Sequence, residues 1–226
     1  LTHEEKTAIL DLPMQVAELP ADQDIVREGD RPSRCCALLT GFACTYKMTG
    51  EGKRQISAFH IAGDIPDLQS LHLRTLDNGI QTLTPCRVAF IQHEHLRALC
   101  HSQPRLADAF WRETLVDGAI FREWMLNIGR RDAYARMAHL LCEMVTRMRA
   151  VGLTQDHTCE LPITQTELGD ALGISNVHVN RTLQELRGAD LITLRGGSLV
   201  VNDWEGLKRA GEFDPTYLHL DRPDEA

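Results

Sequence analysis

Apolar and polar positions follow a helical period over residues 164–187, which read TQTELGDALGISNVHVNRTLQELR. The pattern predicts a first helix, a tight turn at Gly173, where glycine tolerates a positive φ, and a second helix. On the second helix, Val179, Leu183 and Leu186 recur at the spacing that lines one side for burial. We therefore expect a helix-turn-helix whose second helix buries one face and exposes the other.

Short polar side chains mark both helix starts. Thr164 and Glu167 have capping-box spacing, and Ser175 can cap the second helix. Amide and guanidinium groups on an exposed helical face suit reading base edges in the major groove of DNA. The sequence therefore predicts that five residues of the second helix read bases: Asn176, Val177, Asn180, Arg181 and Gln184. A plain helical hairpin within an all-α core is the alternative.

Two short β-prone runs follow the second helix. Leu191–Leu194 and Ser198–Val201 are separated by Arg195-Gly196-Gly197, and paired glycines between such runs indicate a tight hairpin. A helix-turn-helix followed by a small hairpin is a winged helix. A last helix is expected near residues 203–211, starting at Asp203 and followed by a polar tail.

The N-terminal half has a different pattern. Residues 1–12 predict a short amphipathic helix. From about 19 to 95, short β-prone runs alternate with turn signals such as Glu28-Gly29-Asp30 and Asp77-Asn78-Gly79. Regular spacing of this kind indicates a small antiparallel β-barrel or roll. A short helix is expected at 94–102.

A long helix is predicted from Pro104 to about Gly129. Six of its positions follow a 3.5-residue spacing, which is a coiled-coil-like seam: Trp111, Thr114, Gly118, Phe121, Met125 and Ile128. A second apolar stripe lies beside it: Leu106, Phe110, Ile120 and Trp124. One stripe could pack on the roll and the other on the same helix of a second chain. A helix packed wide face inward on a single core is the alternative.

A break in the helical pattern follows at Gly129–Asp132, and Asp132 can cap the next helix, at about 133–150. We interpret the break as the hinge between two domains. The predicted fold is α+β. Residues 1–131 hold an N-terminal antiparallel β-roll that acts as a sensor, with the dimerisation helix (about 104–129), and residues 132–226 hold a winged helix-turn-helix that binds DNA.

Composition narrows the class of protein. The 226 residues are 43% hydrophobic, without an apolar run near the ~18 residues of a membrane span, so we expect no membrane association. Seven cysteines, an odd number, fit a reducing cytoplasm better than a disulfide framework. The net charge of −8 does not exclude DNA binding, because binding depends on the local field, and Arg181, Arg187 and Arg195 cluster in the predicted reading head.

The order of these elements resembles the Crp/Fnr family of bacterial transcription regulators over about residues 25–201. The roll carries the family's repeating pattern at Glu28-Gly29-Asp30, Leu39-Thr40-Gly41, Phe59 and Gly63-Asp64, and the second helix carries it at Ser175, Val179, Arg181 and Leu183. The resemblance implies a cyclic-nucleotide-binding-like jelly roll. It also implies a cytoplasmic homodimer that binds pseudo-palindromic double-stranded DNA, with RNA polymerase as a further partner.

By this resemblance, Arg181 falls on the arginine that members use on a guanine edge. Residues expected to contact phosphates are Thr164, Gln165, Ser175 and Arg195. The glutamate usual early in the recognition helix is replaced by Val177, which could instead meet a thymine methyl group. The operator should therefore differ from the best-known family consensus.

The sensor half departs from the cyclic-AMP receptor protein. Its phosphate-binding Gly-Glu-Leu position reads Asp67-Leu68-Gln69 here, its Arg-Ser pair aligns with Leu76-Asp77, and its adenine-binding Thr-Ser pair aligns with Phe121-Arg122. Two carboxylates would repel a phosphate, and no arginine compensates. We therefore expect an effector other than cyclic AMP, or none, and no cofactor.

The sequence leaves three alternatives to DNA binding. An iron–sulfur sensor is disfavoured, because Cys35 and Cys36 are adjacent and adjacent strand residues point to opposite faces. The only H-x-H motif, His93-Glu94-His95, would suit a cupin-like metal-dependent enzyme, but a solvated helix start is the simpler interpretation. A small-molecule-binding module without DNA binding is the third. We expect no metal and no enzymatic activity.

Overall fold

The computed structural model describes residues 2–220. The chain divides into two compact units between Asp117 and Gly118, inside one long helix. The break predicted at 129–132 is present just after this helix, but the division between compact units falls earlier. The functional boundary at 131–132 therefore stays a prediction.

The first unit is an antiparallel β-roll preceded and followed by helices. Its elements are α1 (His3–Leu10), β1 (Met14–Leu19), β2 (Asp24–Val26), β3 (Arg34–Thr40), β4 (Ala43–Met48), β5 (Arg54–His60), β6 (Gly79–Thr82), β7 (Cys86–Gln92), α2 (His93–Ser102) and the start of α3 (Pro104–Arg130). The strands form two sheets, β1-β7-β3 and β2-β6-β4-β5. The predicted roll is confirmed.

The interior of the roll follows from the alternation of side chains along its strands. Cys35 packs with Leu68, Leu71 and other apolar residues, whereas the next residue, Cys36, packs in a separate cluster. Successive strand residues point to opposite faces, which explains the separation. At the β3–β4 turn, Gly41 has a φ of 91°, and a Cβ there would lie 2.6 Å from the Pro85 carbonyl oxygen. Only glycine fits this turn.

The second unit holds the rest of α3 and a small helical domain. Its other elements are α4 (Ala133–Ala150), β8 (Thr154–Gln155), β9 (Thr158–Glu160), α5 (Gln165–Leu172), α6 (Asn176–Gly188), β10 (Ile192–Arg195), β11 (Ser198–Val201), α7 (Trp204–Gly211) and a 3-10 turn (Pro215–Leu218). The strands form one antiparallel sheet in the order β10-β11-β9-β8. The predicted wing hairpin, β10–β11, is therefore one half of a four-stranded sheet.

Helix α4 is the core of this unit. Nine consecutive residues, 137–145, are buried, because α5, α6, α7 and the β8–β9 hairpin all pack around the helix. The polar tail expected after α7 is wrong for the residues that are described, since Phe213 and Leu218 are buried. The last part of that tail, 221–226, lies outside the described residues. Within 2–220, no helix is both long and apolar enough to cross a membrane.

Candidate nucleic-acid interface

The helix-turn-helix is defined by its caps. Thr164 Oγ1 accepts from the Glu167 amide at 3.2 Å, and the Glu167 carboxylate accepts from the Thr164 amide at 2.6 Å, so α5 begins with a complete capping box. Gly173 ends α5 with a φ of 67°, and Ser175 Oγ accepts from the His178 amide to start α6. The start of α5, its end and the start of α6 are therefore set by the residues that the sequence predicts for these positions, Thr164, Gly173 and Ser175.

The two helices meet closely at Gly169. A Cβ on this residue would lie 2.8 Å from the Ile174 carbonyl oxygen, so the close approach of the two helices depends on glycine at this position. On α6, Val179, Leu183 and Leu186 are almost completely buried. These side chains anchor α6 to the rest of the unit along one face, and its opposite face is left to solvent.

The opposite face of α6 is exposed to solvent. Asn180, Arg181 and Gln184 are exposed, and Val177 is 82% exposed although it is apolar. Asn176 is also exposed, but its amide donates to Thr166 Oγ1 on α5 at 3.1 Å. The five residues predicted to read bases therefore share one accessible helical face, and Asn176 is held closest to the turn.

Arg181 is flanked along the helix axis by two acceptors. Its Nη2 lies 2.7 Å from Nε2 of His178, and its Nε lies 3.8 Å from the Glu185 carboxylate. The side chain remains 64% exposed. Sequence reasoning did not single out His178, although its position three residues before Arg181 puts both on one face.

The four residues expected at phosphates are all exposed. Thr164, Gln165 and Ser175 lie at the N-termini of α5 and α6, where unpaired amides and the helix dipole favour anions. Arg195 lies at the turn of the wing. Arg187 differs from the other two arginines of the head, because its Nη2 donates to the Leu194 carbonyl at 3.0 Å and ties α6 to the wing.

The two apolar stripes of α3 have opposite environments. On the predicted seam, Trp111 is 67% exposed and Met125 is 61% exposed; Phe121 and Ile128 are also exposed, while Gly118 is half-buried. On the second stripe, Leu106, Ile120 and Trp124 are buried, and Phe110 packs against the apolar cluster of the roll. The seam is thus an uncovered apolar face in a single chain.

Comparison with known proteins identifies both halves. A profile of the Crp-like helix-turn-helix domain matches residues 135–210, and a profile of the cyclic nucleotide-binding domain matches residues 16–103. The chain belongs to the Crp/Fnr family of transcription regulators. Members of this family bind DNA as dimers.

Similar regulators of this Crp/Fnr type come from several bacteria. Electron transport regulator A of Shewanella oneidensis is 24% identical over 82% of this chain and 74% of its own length. The fumarate and nitrate reduction regulatory protein of Vibrio cholerae is 25% identical over 84% of this chain and 76% of its own length. FixK2 of Bradyrhizobium japonicum has the same fold, with a TM-score of 0.81 and 24% identity over 88% of this chain and 98% of its own.

The roll of this Crp/Fnr regulator has no arginine at the position that the resemblance aligns with the phosphate-binding arginine of the cyclic-AMP receptor protein. Leu76 occupies that position and is buried, and the carboxylate of neighbouring Asp77 lies 3.6 Å from Lys47 Nζ. Asp67 is 1% exposed and accepts from the Cys36 amide at 2.8 Å, while burial raises its pKa to about 7. The carboxylate therefore faces inward to β3.

The solvated helix start predicted at His93 is wrong for His93 itself, which is buried, as are Cys35 and Cys36. His93 Nε2 lies 2.8 Å from the Ser70 hydroxyl, and burial lowers the pKa of His93. Cys35 and Cys36 are buried, and burial raises the pKa of the Cys35 thiol to about 12. Among residues 2–220, no group of three or more histidine, cysteine, aspartate or glutamate side chains could hold a metal ion.

Proposed function

We propose that this Crp/Fnr regulator acts as a homodimer on a pseudo-palindromic operator, with α6 of each protomer in the major groove. The observation that carries the proposal is the division of α6 into a fully buried apolar face and an exposed face with Asn180, Arg181 and Gln184. Arginine pairs bidentately with guanine, and amide side chains pair with adenine. Such a face provides donors for both purines.

The contacts divide into two classes. Asn176, Val177, Asn180, Arg181 and Gln184 would contact base edges, whereas Thr164, Gln165, Ser175 and Arg195 would contact phosphates. Val177 has no acceptor for a cytosine amine and would pack on a thymine methyl group. Phosphate contacts should make the affinity depend steeply on salt concentration.

The exposed seam of α3 would be covered by a second copy of this chain. Trp111, Gly118, Phe121, Met125 and Ile128 follow the 3.5-residue spacing of two paired helices. Members of the family act as dimers, which supports a second copy of this chain, rather than a different protein, as the partner that covers the seam. Two recognition helices related by a twofold axis would then reach successive major grooves about 34 Å apart.

The signal that the roll receives would not be cyclic AMP. The buried Asp67 and Leu76 leave an incoming phosphate without a cation at the aligned positions. Calorimetric titration of the purified dimer with cyclic AMP should therefore show no binding at micromolar concentrations, and heat of binding in that range would contradict the proposal. The effector would be another small molecule, or the dimer would be competent without one.

As a transcription regulator, the dimer would meet RNA polymerase in the cytoplasm. Co-purification of the polymerase with operator-bound dimer would support this partner. Retention of polymerase by the operator alone, at the same level, would contradict it.

The operator itself can be found by selection. The full chain is incubated with a library of random DNA duplexes, and bound duplexes are amplified and sequenced. We expect inverted repeats whose half-site centres lie about 10–10.5 base pairs apart, or a multiple of that spacing. Recovery of unrelated sequences without a shared motif would overturn the proposed function.

A further inference from the structure

A buried carboxylate joins three elements of the second unit. Glu143 on α4 is 0% exposed. Trp124 Nε1, from the last third of α3, donates to both of its oxygens at 3.2 and 3.0 Å, and the Tyr217 hydroxyl, from the C-terminal 3-10 turn, donates at 2.8 Å. Arg147 Nη1 lies 3.6 Å away. One carboxylate thus connects the end of α3, the core helix and the C-terminal segment.

His139 extends the same network one turn earlier on α4. Its Nδ1 lies 2.9 Å from the Gly211 carbonyl oxygen, and its Nε2 lies 3.0 Å from the Tyr217 hydroxyl. The ring stacks on Tyr217 and meets Phe213 edge to face. A Cβ on Gly211 would lie 2.5 Å from the His139 amide nitrogen, so α7 rests directly on α4. The C-terminal segment is therefore held at two successive turns of α4.

Arg131, just after α3, forms a second set of contacts between α3 and the C-terminal segment. Its Nη1 donates to Glu123 at 2.7 Å and to Asn127 at 2.8 Å, and its Nε donates to Glu212 at 3.2 Å. Glu123 in turn lies 3.6 Å from His139 Nε2. Both ends of this arrangement lie in the second unit, so the last turns of α3 are bound to the same body as α4.

A buried carboxylate and its partners tend to act as a whole. Removing one partner leaves a polar group without a hydrogen bond inside the protein, which is costly. We expect such a network to favour one arrangement of α3, α4 and the C-terminal segment over others.

We propose that Trp124, Glu143 and Tyr217 are positioning residues that fix the distance between the two reading helices of the dimer. The seam residues Phe121 and Met125 lie on the same turns of α3 as Trp124. This inference rests on the proposed homodimer. With the network complete, Phe121, Met125 and α6, which all lie in the second unit, move as one body, and the twofold axis then sets the operator spacing.

A variant that lacks one hydrogen bond of the network should tolerate operators of different half-site spacing, while its preference among bases stays the same. The residues that read bases are untouched, so a single half-site should be bound as before. The two heads could however adopt several separations, and operators with an added or removed base pair would lose less affinity. Base preference and spacing preference thus become separable measurements.

The test uses the full chain and the selected operator in versions whose central spacer differs by one or two base pairs. For the unaltered chain we expect one added or removed base pair to weaken binding by about tenfold or more, equivalent to about 1.4 kcal/mol. Tyr217→Phe, which removes the hydroxyl alone, should reduce that ratio to about threefold or less, while affinity for an isolated half-site stays within about twofold.

Three further variants complete the design. Trp124→Phe removes the indole donor and should also reduce the spacing ratio. Glu143→Gln replaces one acceptor oxygen by an amide donor that faces the donors Trp124 and Tyr217, and should reduce the ratio as well. Tyr134→Phe removes a hydroxyl from the same helix, α4, outside the network, and should leave the ratio unchanged.

The outcomes separate this inference from the proposed function. An unaltered chain that binds no selected operator would refute the proposed function. An unaltered chain that binds with sharp spacing, together with Tyr217→Phe and Trp124→Phe variants of the same sharpness, would refute the positioning role alone. Thermal melts confirm that each variant is folded at the binding temperature, and Trp124→Phe decides the question if Tyr217→Phe is unfolded there.

Discussion

Arg181 is the residue on which the base-reading hypothesis depends most. Its guanidinium lies between His178 and Glu185 on the exposed face of α6. Arginine loses rotamer freedom when it binds, and an acceptor that already orients the guanidinium reduces this loss. At the residue scale, we therefore expect His178 to orient Arg181 for the proposed contact with a guanine edge.

Replacing this arginine should remove sequence discrimination. Arg181→Ala is expected to weaken binding to the selected operator by about 1–3 kcal/mol relative to unrelated DNA. Gel-shift titration at fixed salt concentration measures both affinities. The matched control is Arg74→Ala, which removes the same charge from an exposed position in the first unit. Equal discrimination by the two variants would count against the reading role.

Burial of Asp67 predicts that the stability of the protein depends on pH. Its pKa in the fold is about 7, above the ordinary value of 3.8, because burial disfavours the charged form. The folded state therefore retains a proton that the unfolded state releases, so the contribution of this group to stability is present at low pH and is lost as the pH rises through about 7.

Asp67→Asn should therefore stabilise the protein in alkaline solution. Asparagine retains the oxygen that accepts from the Cys36 amide but carries no charge. We expect its melting temperature to exceed that of the unaltered chain by several degrees at pH 8, with a smaller difference at pH 5. A variant that melts lower than the unaltered chain at pH 8 would show that the charge itself stabilises the fold.

At the element scale, periodicity and caps were visible in the sequence because they are local. The helical period located α3, α4, α5 and α6, and the capping positions Thr164, Ser175 and Asp132 are confirmed by their hydrogen bonds. Strands β8 and β9 were missed, since two or three residues are too few to show an alternation. The prediction of a polar tail after α7 failed because Phe213 and Leu218 lie in a stretch too short to show a period that would predict their burial.

The partners of Glu143 could not be found in the same way. Tyr217 is 74 residues away along the chain, and only the packing of the C-terminal segment on α4 brings the two together. A buried glutamate inside an apolar helical run was the one signal available, because such a residue needs a partner. The identity of that partner is a property of the tertiary structure.

The start of α4 allows a direct test of a cap. Asp132 accepts from the Ala135 amide at 2.9 Å. Asp132→Ala should lower the free energy of unfolding by about 1 kcal/mol, whereas Asp132→Asn, which also caps well, should change it by much less. Urea denaturation measures both. Equal losses in the two variants would show that charge, rather than the cap, is what matters at this position.

At the scale of the whole molecule, we expect pairing of the α3 seam with a second copy of the chain to be required for tight DNA binding. Met125 is among the most exposed apolar residues of α3. Met125→Glu should shift the chain to a monomer and weaken operator binding by about 100-fold or more, because each half-site then has to be bound independently. Sedimentation and gel-shift titration follow the two effects.

Leu73→Glu is the control for that experiment. It introduces the same acid at another exposed apolar residue, outside the helix. We expect it to remain dimeric and to bind the operator normally. A dimeric Met125→Glu variant would argue against the seam as the dimer interface. A monomer with unchanged operator affinity would argue against the need for dimerisation in DNA binding.

The placement of α6 in the major groove can be measured by methylation interference on the selected operator. Methylation of guanine N7 blocks the major groove, and methylation of adenine N3 blocks the minor groove. We predict that N7 methylation at two symmetry-related guanines abolishes binding and that N3 methylation between the half-sites does not. Binding that tolerates every N7 methyl group but is lost on N3 methylation would contradict the account.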